Sequence, residues 1–377
     1  MSGAEGFNIT SPSQNTIFSG YRNNNGSPVG LHWVLQEEPS IVATKIMLKK
    51  VVPPVLIMLG TIGNALALAV LHRSSTLRQS SVWYYLKAFF VASVLVLYLG
   101  AGLDWLCLMA RLTPLWNVTD GLCRIGQFFC NVVFFSPIWF CVAMVIDRYI
   151  SICHHRTAET FCNMFSAKIS IISIQIGLIL VSIHAMWTVE LHAEYGCTIP
   201  HERQDFHSIV WPWVSGIIYT FLPLSLLILF NTVLFIAICN KHKCQNSEPS
   251  VRSSSFDNGK LSIAALTVAT TYLLLALPAT TMNVFMTQAP AHMIRTRLEY
   301  LQLEFLGEIF QLLAVLNHAI MGMVCFCSSM EFRRETCRLF LKKAQRASIE
   351  LSLDECTCKY RPSNGSVPVI HSDNSQL

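Results

Sequence analysis

The chain has 377 residues, of which 53% are hydrophobic and only 13% are charged, and its mean hydropathy is +0.46. A soluble chain usually carries about a quarter charged residues, so this chain has too little polar surface to cover a soluble fold. The net charge of +5 comes from basic residues spread over short loops and a tail, which argues against a nucleic-acid partner. The composition therefore predicts a membrane protein.

The first forty residues are polar and lack the apolar core of a signal peptide, so the first hydrophobic segment is expected to act as the insertion signal. Seven apolar segments follow, each long enough to span a bilayer. Because every backbone polar group in hydrocarbon needs a partner within the protein, these are helices or a closed barrel. Continuous apolarity over about twenty residues favours an all-α membrane protein, a seven-transmembrane helix bundle. The predicted spans are 51–71, 82–109, 122–153, 168–189, 209–239, 261–286 and 301–327.

The third span carries a cysteine near one end, Cys123, and the ionic triplet Asp147-Arg148-Tyr149 near the other. At 1.5 Å per residue, a helix from Cys123 to Arg148 measures about 37 Å, enough to cross a bilayer with some tilt. The cysteine and the triplet are therefore expected on opposite sides of the membrane.

The loops indicate the orientation of the chain. The first, third and fifth connections and the carboxyl-terminal tail are basic, whereas the second, fourth and sixth connections are acidic or mixed. The positive-inside rule then predicts a multi-pass plasma-membrane protein with its amino terminus outside the cell. Lys45, Lys49 and Lys50, just before the first span, are a local exception to this pattern. We predict an extracellular amino-terminal tail over residues 1–46 and a seven-transmembrane domain over residues 47–330.

Glycosylation sequons agree with this orientation, although any one of them could arise by chance. Asn8, Asn25 and Asn117 each begin such a sequon on the predicted extracellular side. A fourth sequon, at Asn364, lies on the predicted cytoplasmic side and is expected to remain unused.

The region after the seventh span is basic and amphipathic. Residues 331–347 are predicted to form an eighth, juxtamembrane helix along the inner leaflet, and residues 348–377 are predicted to be a disordered cytoplasmic tail. Cys337, Cys356 and Cys358 are candidates for palmitoylation beside this helix; solvated free thiols are an equally good interpretation. The sequence contains no P-loop, nucleotide fingerprint, metal motif or nucleophile elbow, so we expect no enzymatic activity, metal or cofactor.

Several further landmarks stand at spacings that match one family. They are Gly63-Asn64 in the first span, Cys197 in the second outer loop, Pro223 in the fifth span, Pro278 in the sixth, and Ser328-Ser329 with Phe332-Arg333-Arg334 after the seventh. Together with Cys123 and the triplet, these landmarks resemble the rhodopsin-like (class A) G protein-coupled receptors over about residues 51–341. The phrases Leu222-Pro223 to Phe230-Asn231 and Leu316 to Ile320 look most like the neuropeptide-receptor branch that includes the FMRFamide receptors.

The resemblance implies a disulfide between Cys123 and Cys197 that ties helix three to the second outer loop. Such a bond closes a loop of about 75 residues and is worth roughly 4 kcal/mol on a chain-entropy estimate. Two free cysteines are the alternative, and Cys107 is the competing partner near that surface.

The resemblance also implies that Asp147, Arg148 and Tyr149 form the G protein-coupling site, with Arg148 paired to Asp147 at rest. Pro278 is expected to kink helix six and act as the hinge for its outward movement. The alternative for Arg148 is an interfacial arginine that extends to lipid headgroups.

By family position, a ligand pocket is expected to open outward between the helices. The residues implied are Gln127, Asn131, Phe134, Trp211, Trp213, Asn283, Glu308 and Gln311. Cys130 stands where aminergic receptors have an anchoring aspartate, and the seventh span has no lysine for a retinal Schiff base, so a biogenic amine and an opsin are disfavoured. Acidic residues at the mouth suit a basic peptide, and nearby arginines weaken that inference. The aromatic residues have packing as their alternative role.

Several positions depart from the family pattern. Ser93 replaces the buried aspartate of helix two, and Met321, Gly322 and Cys325 replace the asparagine, proline and tyrosine of the helix-seven motif. A cation prefers a carboxylate and several oxygen ligands, so the family's sodium site is expected to be absent. Ala276 stands in place of the helix-six tryptophan.

The resemblance as a whole implies a receptor that binds an extracellular ligand, a neuropeptide by the subfamily likeness, and activates a heterotrimeric G protein through outward movement of helix six. The surrounding lipid is the remaining expected partner. Because switch residues are missing, a non-signalling or constitutively active divergent receptor is an alternative. A small transporter is a hypothesis from another class, but transporters usually show internal repeats and paired intramembrane charges, and the sequence shows neither.

Overall fold

The computed structural model describes residues 39–74, 80–193, 196–203, 205–247, 255–288 and 297–340. Within these residues, seven helices are long and apolar enough to cross a membrane, so the predicted seven-helix bundle is confirmed. The helices are α1 Pro39–Arg73, α2 Ser81–Ala110, α3 Asp120–Cys153, α4 Met164–Ser182, α5 with its main part Leu222–Ser247, α6 Ser255–Gln288 and α7 Arg297–Ser328. α5 begins at Trp211–Ser215 and passes through a wider π-helical segment, Gly216–Phe221.

Short elements complete the connections. A helix at His155–Phe161 joins α3 to α4, and an antiparallel hairpin of β1 Glu190–His192 and β2 Gly196–Thr198 lies between α4 and α5, with Leu191 opposite Cys197. A further helix, α8, covers Met330–Phe340.

The chain divides into two units, with the boundary between Arg333 and Arg334. α8 begins one residue before the segment predicted to be amphipathic, 331–347, and overlaps it up to Phe340; its placement along a leaflet stays a prediction. The amino-terminal sequons at Asn8 and Asn25, the tail residues Cys356 and Cys358, and the whole predicted disordered tail lie outside the described residues.

α1 begins earlier than the sequence suggested. Its first residue is Pro39, inside the segment predicted as a tail up to residue 46. A proline is favourable in the first turn of a helix because its fixed φ angle suits the helix and its missing N–H is not needed there. The lysines before the first span therefore belong to the helix itself, and one of them has a partner in α7, as described below.

α3 is the central helix of the bundle. It packs against α2, α4, α5 and α6, and 61% of its most apolar window is buried, compared with 22–39% for the other six spans. The other helices expose large apolar side chains on their outer faces, as expected for surfaces that meet lipid. Below, the two ends of the bundle are called the Cys123 end and the Arg148 end, after the residues of α3 that mark them.

α1 and α7 approach closely through small residues. A Cβ atom added at Gly322 would overlap the backbone of Gly63. The backbone N–H of Gly322 donates to Oδ1 of Asn64 (3.1 Å), and Nδ2 of Asn64 donates to the carbonyl oxygen of His318 (3.0 Å). The glycine at the family's proline position thus supplies a backbone donor and a close helix contact that proline cannot provide.

Candidate ligand site and helix-three ionic cluster

The Cys123 end of α3 is fastened to the β-hairpin. Cys123 and Cys197 form a disulfide with a Cα–Cα distance of 5.4 Å. Oδ1 of Asp120 accepts a hydrogen bond from the backbone N–H of Leu191 (3.0 Å), and its Oδ2 pairs with Nε of Arg124 (2.7 Å). These bonds hold the hairpin over the end of the bundle. Cys107, the alternative partner weighed above, is a free, buried cysteine.

The sequon at Asn117 has a structural role. Oδ1 of Asn117 accepts from the backbone N–H of Cys197 (2.9 Å), and its amide group packs against Gly196, which adopts a positive φ of 71°. The sequon's threonine, Thr119, caps α3 by accepting from the N–H of Leu122 (3.2 Å), an ordinary role for threonine at a helix start. The glycan at Asn117 stays a prediction.

A small cavity of about 50 Å³ lies beneath the hairpin, between α3, the residues 184–189 that follow α4, and the start of α5. Gln127, Asn131 and Trp211, three of the predicted ligand residues, line it, and Nε2 of Gln127 donates to Oδ1 of Asn131 (3.3 Å). Pockets for drug-sized ligands usually measure about 300–1,000 Å³. In this conformation the cavity therefore has room for a few water molecules or one small group. It is too small for a large side chain of a peptide ligand.

Of the other predicted ligand residues, those whose side chains the structure describes lie away from this cavity. Phe134 faces Gly100 of α2, and Gln311 is exposed. Trp213 is 72% exposed on the outer face of α5, where an aromatic ring suits lipid contact. Asn283 is part of α6, but its side chain lies outside the described residues. The structure thus does not gather the predicted set around one cavity.

Glu308 pairs with a residue that sequence reasoning did not connect to it. Nζ of Lys49 in α1 lies 2.7 Å from Oε1 of Glu308 in α7, and the Glu308 side chain is only 9% exposed. A buried carboxylate usually requires such a counter-ion. The signal was present in the sequence, because Lys49 was an exception to the positive-inside pattern, and this ion pair explains the exception.

Two cavity residues were also missed. The ring of His184 contacts the ring of Trp211 at a centroid distance of 3.6 Å and an interplanar angle of 40°, and Nδ1 of His184 donates to the carbonyl oxygen of Val181 (2.8 Å). Thr188 is 3% exposed, and its Oγ1 has no hydrogen-bond partner among the described residues. No local pattern marks either residue, because each stands alone in an apolar stretch of sequence.

At the Arg148 end, Asp147 and Arg148 form a buried ionic cluster with Ser81 of α2. The guanidinium of Arg148 contacts Oδ2 of Asp147 at 2.5 and 3.0 Å and donates to Oγ of Ser81 (2.8 Å), which in turn donates to Oδ2 of Asp147 (2.8 Å). Asp147 is 5% and Arg148 is 3% exposed. Each charge therefore has a partner, as a buried charge requires. The sequence suggested the pair but not the serine.

Cys162, in the α3–α4 connection, forms a hydrogen bond to the backbone of this cluster. Its Sγ donates to the backbone oxygen of Asp147 (3.2 Å). Burial, and then the negative charge of Asp147, raise the pKa of Cys162 to about 12. Tyr149, the third residue of the triplet, places its ring against Phe230 of α5 and His154.

α5 and α6 are joined near the Arg148 end by a hydrogen bond between side chains. Nδ2 of Asn231 donates to Oγ1 of Thr270 (2.9 Å), and Oδ1 of Asn231 has no partner among the described residues. Pro278 lies inside α6, where its missing N–H leaves one carbonyl of the helix without its usual donor. The hydroxyls of Thr280 and Thr281 donate to the carbonyl oxygens of Ala276 and Leu277.

The position of the family's sodium site is filled by protein groups. Nδ1 of His318 lies 3.3 Å from Oγ of Ser93, and the His318 ring packs edge-on against Tyr272. Nδ2 of Asn317 donates to the backbone oxygen of Tyr272 (3.4 Å). One hydroxyl and an imidazole do not form the oxygen-rich shell that a hard cation requires. A search of the described residues finds no group of three metal-ligating side chains.

Comparison with known proteins identifies the family. The sequence profile of the "7 transmembrane receptor (rhodopsin family)" matches residues 63–320, which is more than half of the chain. Its members are receptors and not enzymes, as the sequence predicted.

The curated relatives are more distant. Neurotensin receptor type 1 of Rattus norvegicus is 26% identical over 143 residues, which cover 37% of this chain and 34% of the relative. Galanin receptor 2b of Danio rerio is 28% identical over 145 residues, covering 37% of each. Growth hormone secretagogue receptor type 1 of Mus musculus is 27% identical over 224 residues, covering 56% and 59%. The chain thus spans between about a third and three fifths of the length of these relatives. From its seven helices, its landmarks and the profile match, the chain belongs to the rhodopsin family of seven-transmembrane receptors.

Proposed function

We propose that the chain is a peptide receptor of the plasma membrane that activates a heterotrimeric G protein. Its amino terminus lies outside the cell, the peptide binds at the Cys123 end, and the Arg148 end faces the cytoplasm. The names of the similar receptors, for neurotensin, galanin and growth hormone secretagogues, support a peptide as the ligand. The likeness to FMRFamide receptors remains a prediction about the subfamily.

The observation that carries the proposal is the buried cluster of Arg148, Asp147 and Ser81. An arginine at the edge of a membrane span is rare unless it is paired and functional. Here the pairing uses the neighbouring Asp147 and a serine of α2. Among the side chains that the structure describes, none from α6 takes part. Outward movement of α6 around Pro278 would open the Arg148 end to a G protein, while the guanidinium exchanges its partners within the receptor for partners on the G protein.

The test is peptide-stimulated nucleotide exchange on G proteins in cells that express the chain. A panel of amidated and free-acid peptides is screened against several G protein subtypes, and receptor at the cell surface is measured in parallel. Arg148→Ala is expected to abolish the response while surface expression persists. Arg156→Ala is the matched control, because Arg156 is an exposed arginine close to the same end of α3. Full signalling by Arg148→Ala would contradict the proposal.

A divergent receptor that binds a ligand without signalling, or that signals without one, is the second candidate. Ser93 and His318 occupy the sodium position, and Ala276 and Cys325 replace switch residues of the family, which favours this alternative. Tight binding of a labelled peptide with no exchange on any G protein subtype would support the non-signalling form. High exchange without any peptide would support the constitutively active form.

A further inference from the structure

The cavity beneath the hairpin is polar but holds no side chain of Asp, Glu, Lys or Arg among the described residues that line it. Its lining includes the amides of Gln127 and Asn131 and the side chain of Thr198. A carboxylate, an ammonium or a guanidinium group would enter such walls without a counter-ion, which is costly. The occupant that this cavity suits is therefore an uncharged polar group.

Two side chains of α3 supply hydrogen-bonding groups that are still open. Gln127 and Asn131 lie one helical turn apart, on the same face of the helix, and Nε2 of Gln127 donates to Oδ1 of Asn131 (3.3 Å). Within the described part of the chain, Oε1 of Gln127 and Nδ2 of Asn131 make no further hydrogen bond, and neither atom is fully enclosed. The pair therefore offers the cavity an acceptor and a donor side by side.

Size and chemistry together select the group that fits. A water molecule needs about 10–15 Å³ of such space, so the cavity has room for roughly three to five groups of that size. An alcohol places its donor and its acceptor on a single atom, and a ketone or an ester only accepts. A primary carboxamide carries donor N–H groups and an acceptor oxygen close together without a charge, so it matches both amides of α3 at once.

We propose that this cavity binds a primary carboxamide group of the ligand. One N–H of the carboxamide donates to Oε1 of Gln127, and its oxygen accepts from Nδ2 of Asn131. The inference rests on the proposed function, in which a peptide binds at the Cys123 end. A peptide has two sources of this group, an amidated carboxyl terminus and the side chain of an asparagine or a glutamine. The rest of the peptide lies outside the cavity, which is too small for it.

Water is the alternative occupant of this cavity, because a few molecules would satisfy the same two amides. The two occupants differ in what they require. Water needs only space and polar partners, whereas a carboxamide needs an acceptor for its N–H at Gln127 and a donor for its oxygen at Asn131. A pair of probes that differ only in the presence of the N–H group therefore separates the two cases.

The test is fluorine NMR of small probes added to the full-length chain in phosphatidylcholine nanodiscs, with empty nanodiscs as the background. The probes are N-trifluoroacetylglycinamide, a methyl ketone of the same shape, N-(2-oxopropyl)trifluoroacetamide, and the carboxylate N-trifluoroacetylglycine. Saturable binding of the carboxamide is expected. The ketone should bind about threefold to tenfold more weakly, because it lacks the N–H that donates to Gln127. The carboxylate should bind at least about tenfold more weakly, because its charge finds no counter-ion.

Two variants assign the contacts. Gln127→Met keeps the length of the side chain and deletes the acceptor, so the carboxamide should lose about threefold to tenfold in affinity while the ketone binds as before. Unchanged binding of the ketone also shows that the variant has folded. Asn131→Leu deletes the donor and should weaken both probes. Gln311→Met, at an exposed glutamine of α7, is the matched control and should bind every probe as the wild type does.

Three results would each overturn the proposal. They are no saturable binding of the carboxamide, which leaves water as the occupant, equal affinities of carboxamide and ketone in the wild type, and a carboxamide preference that survives in Gln127→Met.

A fourth probe, N-trifluoroacetylglutamine methylamide, separates the two sources of the group. Stronger binding of this probe supports a side-chain carboxamide, and stronger binding of the glycinamide probe supports an amidated carboxyl terminus.

The probe measurements use neither a G protein nor a natural ligand, so the two proposals can fail separately. If the carboxamide preference is absent while nucleotide exchange depends on Arg148, this inference alone is refuted. If the preference is present while no peptide stimulates exchange on any G protein, the proposed function alone is refuted.

Discussion

The hydrogen bond between Asn231 of α5 and Thr270 of α6 predicts the level of signalling without a ligand. If α6 moves outward on activation, this bond is lost or rearranged, so it stabilises the inward arrangement that the structure shows. Thr270→Val preserves the shape of the side chain and deletes the acceptor. Oδ1 of Asn231 already lacks a partner, and the variant leaves Nδ2 without one as well.

The magnitude follows from the burial of Asn231. Leaving a buried polar group without a partner costs about 1–3 kcal/mol. The lower half of that range is expected, because Asn231 retains 8% exposure. Since 1.4 kcal/mol corresponds to about a factor of ten in an equilibrium constant, the population of the outward arrangement should rise roughly fivefold to twenty-five-fold.

The assay is nucleotide exchange on the coupled G protein without ligand, divided by the amount of receptor at the cell surface. Thr271→Val is the matched control, because the Thr271 hydroxyl donates only within α6, to the backbone oxygen of Thr267 (2.9 Å). If ligand-free nucleotide exchange is no higher with Thr270→Val than with Thr271→Val, this hydrogen bond does not hold α6 inward and the reasoning is refuted.

Three further outcomes are expected. Ser81→Ala removes one donor to Asp147 and one acceptor from Arg148, so ligand-free exchange should rise several-fold; unchanged exchange would show that the ion pair alone holds the arginine. Cys197→Ser opens the disulfide and should lower the free energy of unfolding by about 4 kcal/mol, which a lower melting temperature of the purified receptor would show. Cys107→Ser changes a free cysteine and should lower the melting temperature less. Equal losses in the two variants would count against a stabilising disulfide. Because burial raises the pKa of Cys162 to about 12, its reactive thiolate is scarce at neutral pH. Maleimide should therefore label the exposed Cys153 much faster than Cys162, as measured by mass spectrometry of the labelled peptides. Faster labelling of Cys162 would contradict this prediction.

The large features of the fold were predictable because they depend on composition along the chain. Continuous apolarity located all seven spans, and the position of Cys123 and Arg148 on one helix followed from its length alone. The boundary of α1 was less accurate. The first span was predicted to begin at residue 51, after the lysines, whereas the helix begins at Pro39 and Lys49, inside it, pairs with Glu308.

The candidate site was harder to predict because its contacts join distant parts of the chain. Of the ligand residues implied by family position, Gln127, Asn131 and Trp211 line one cavity, whereas the side chain of Trp213 faces outward; their role in ligand binding stays a prediction. Position in a motif does not specify the rotation of a helix that contains wider π-helical turns, as α5 does.

Residues that match a sequence motif can be present for a different, structural reason. The Asn117 sequon satisfies the glycosylation pattern, yet its asparagine accepts a bond from Cys197 and its threonine caps α3. Asparagine and threonine are common at helix starts and turns for these local reasons, so the pattern alone does not separate a modification site from a cap.

The contact between α1 and α7 restricts which residues positions 63 and 322 can hold. Gly63 accepts a methyl group, since an added Cβ would lie 3.6 Å from its nearest neighbour, a side-chain atom of Met323. Gly322 does not, because its added Cβ would meet the backbone of Gly63, which no change of side-chain conformation can move aside. A single mutation of Gly322 to the proline typical of the family would create that overlap and also remove the donor to Asn64. A proline at position 322, as in the family's motif, therefore requires α1 and α7 to move apart first.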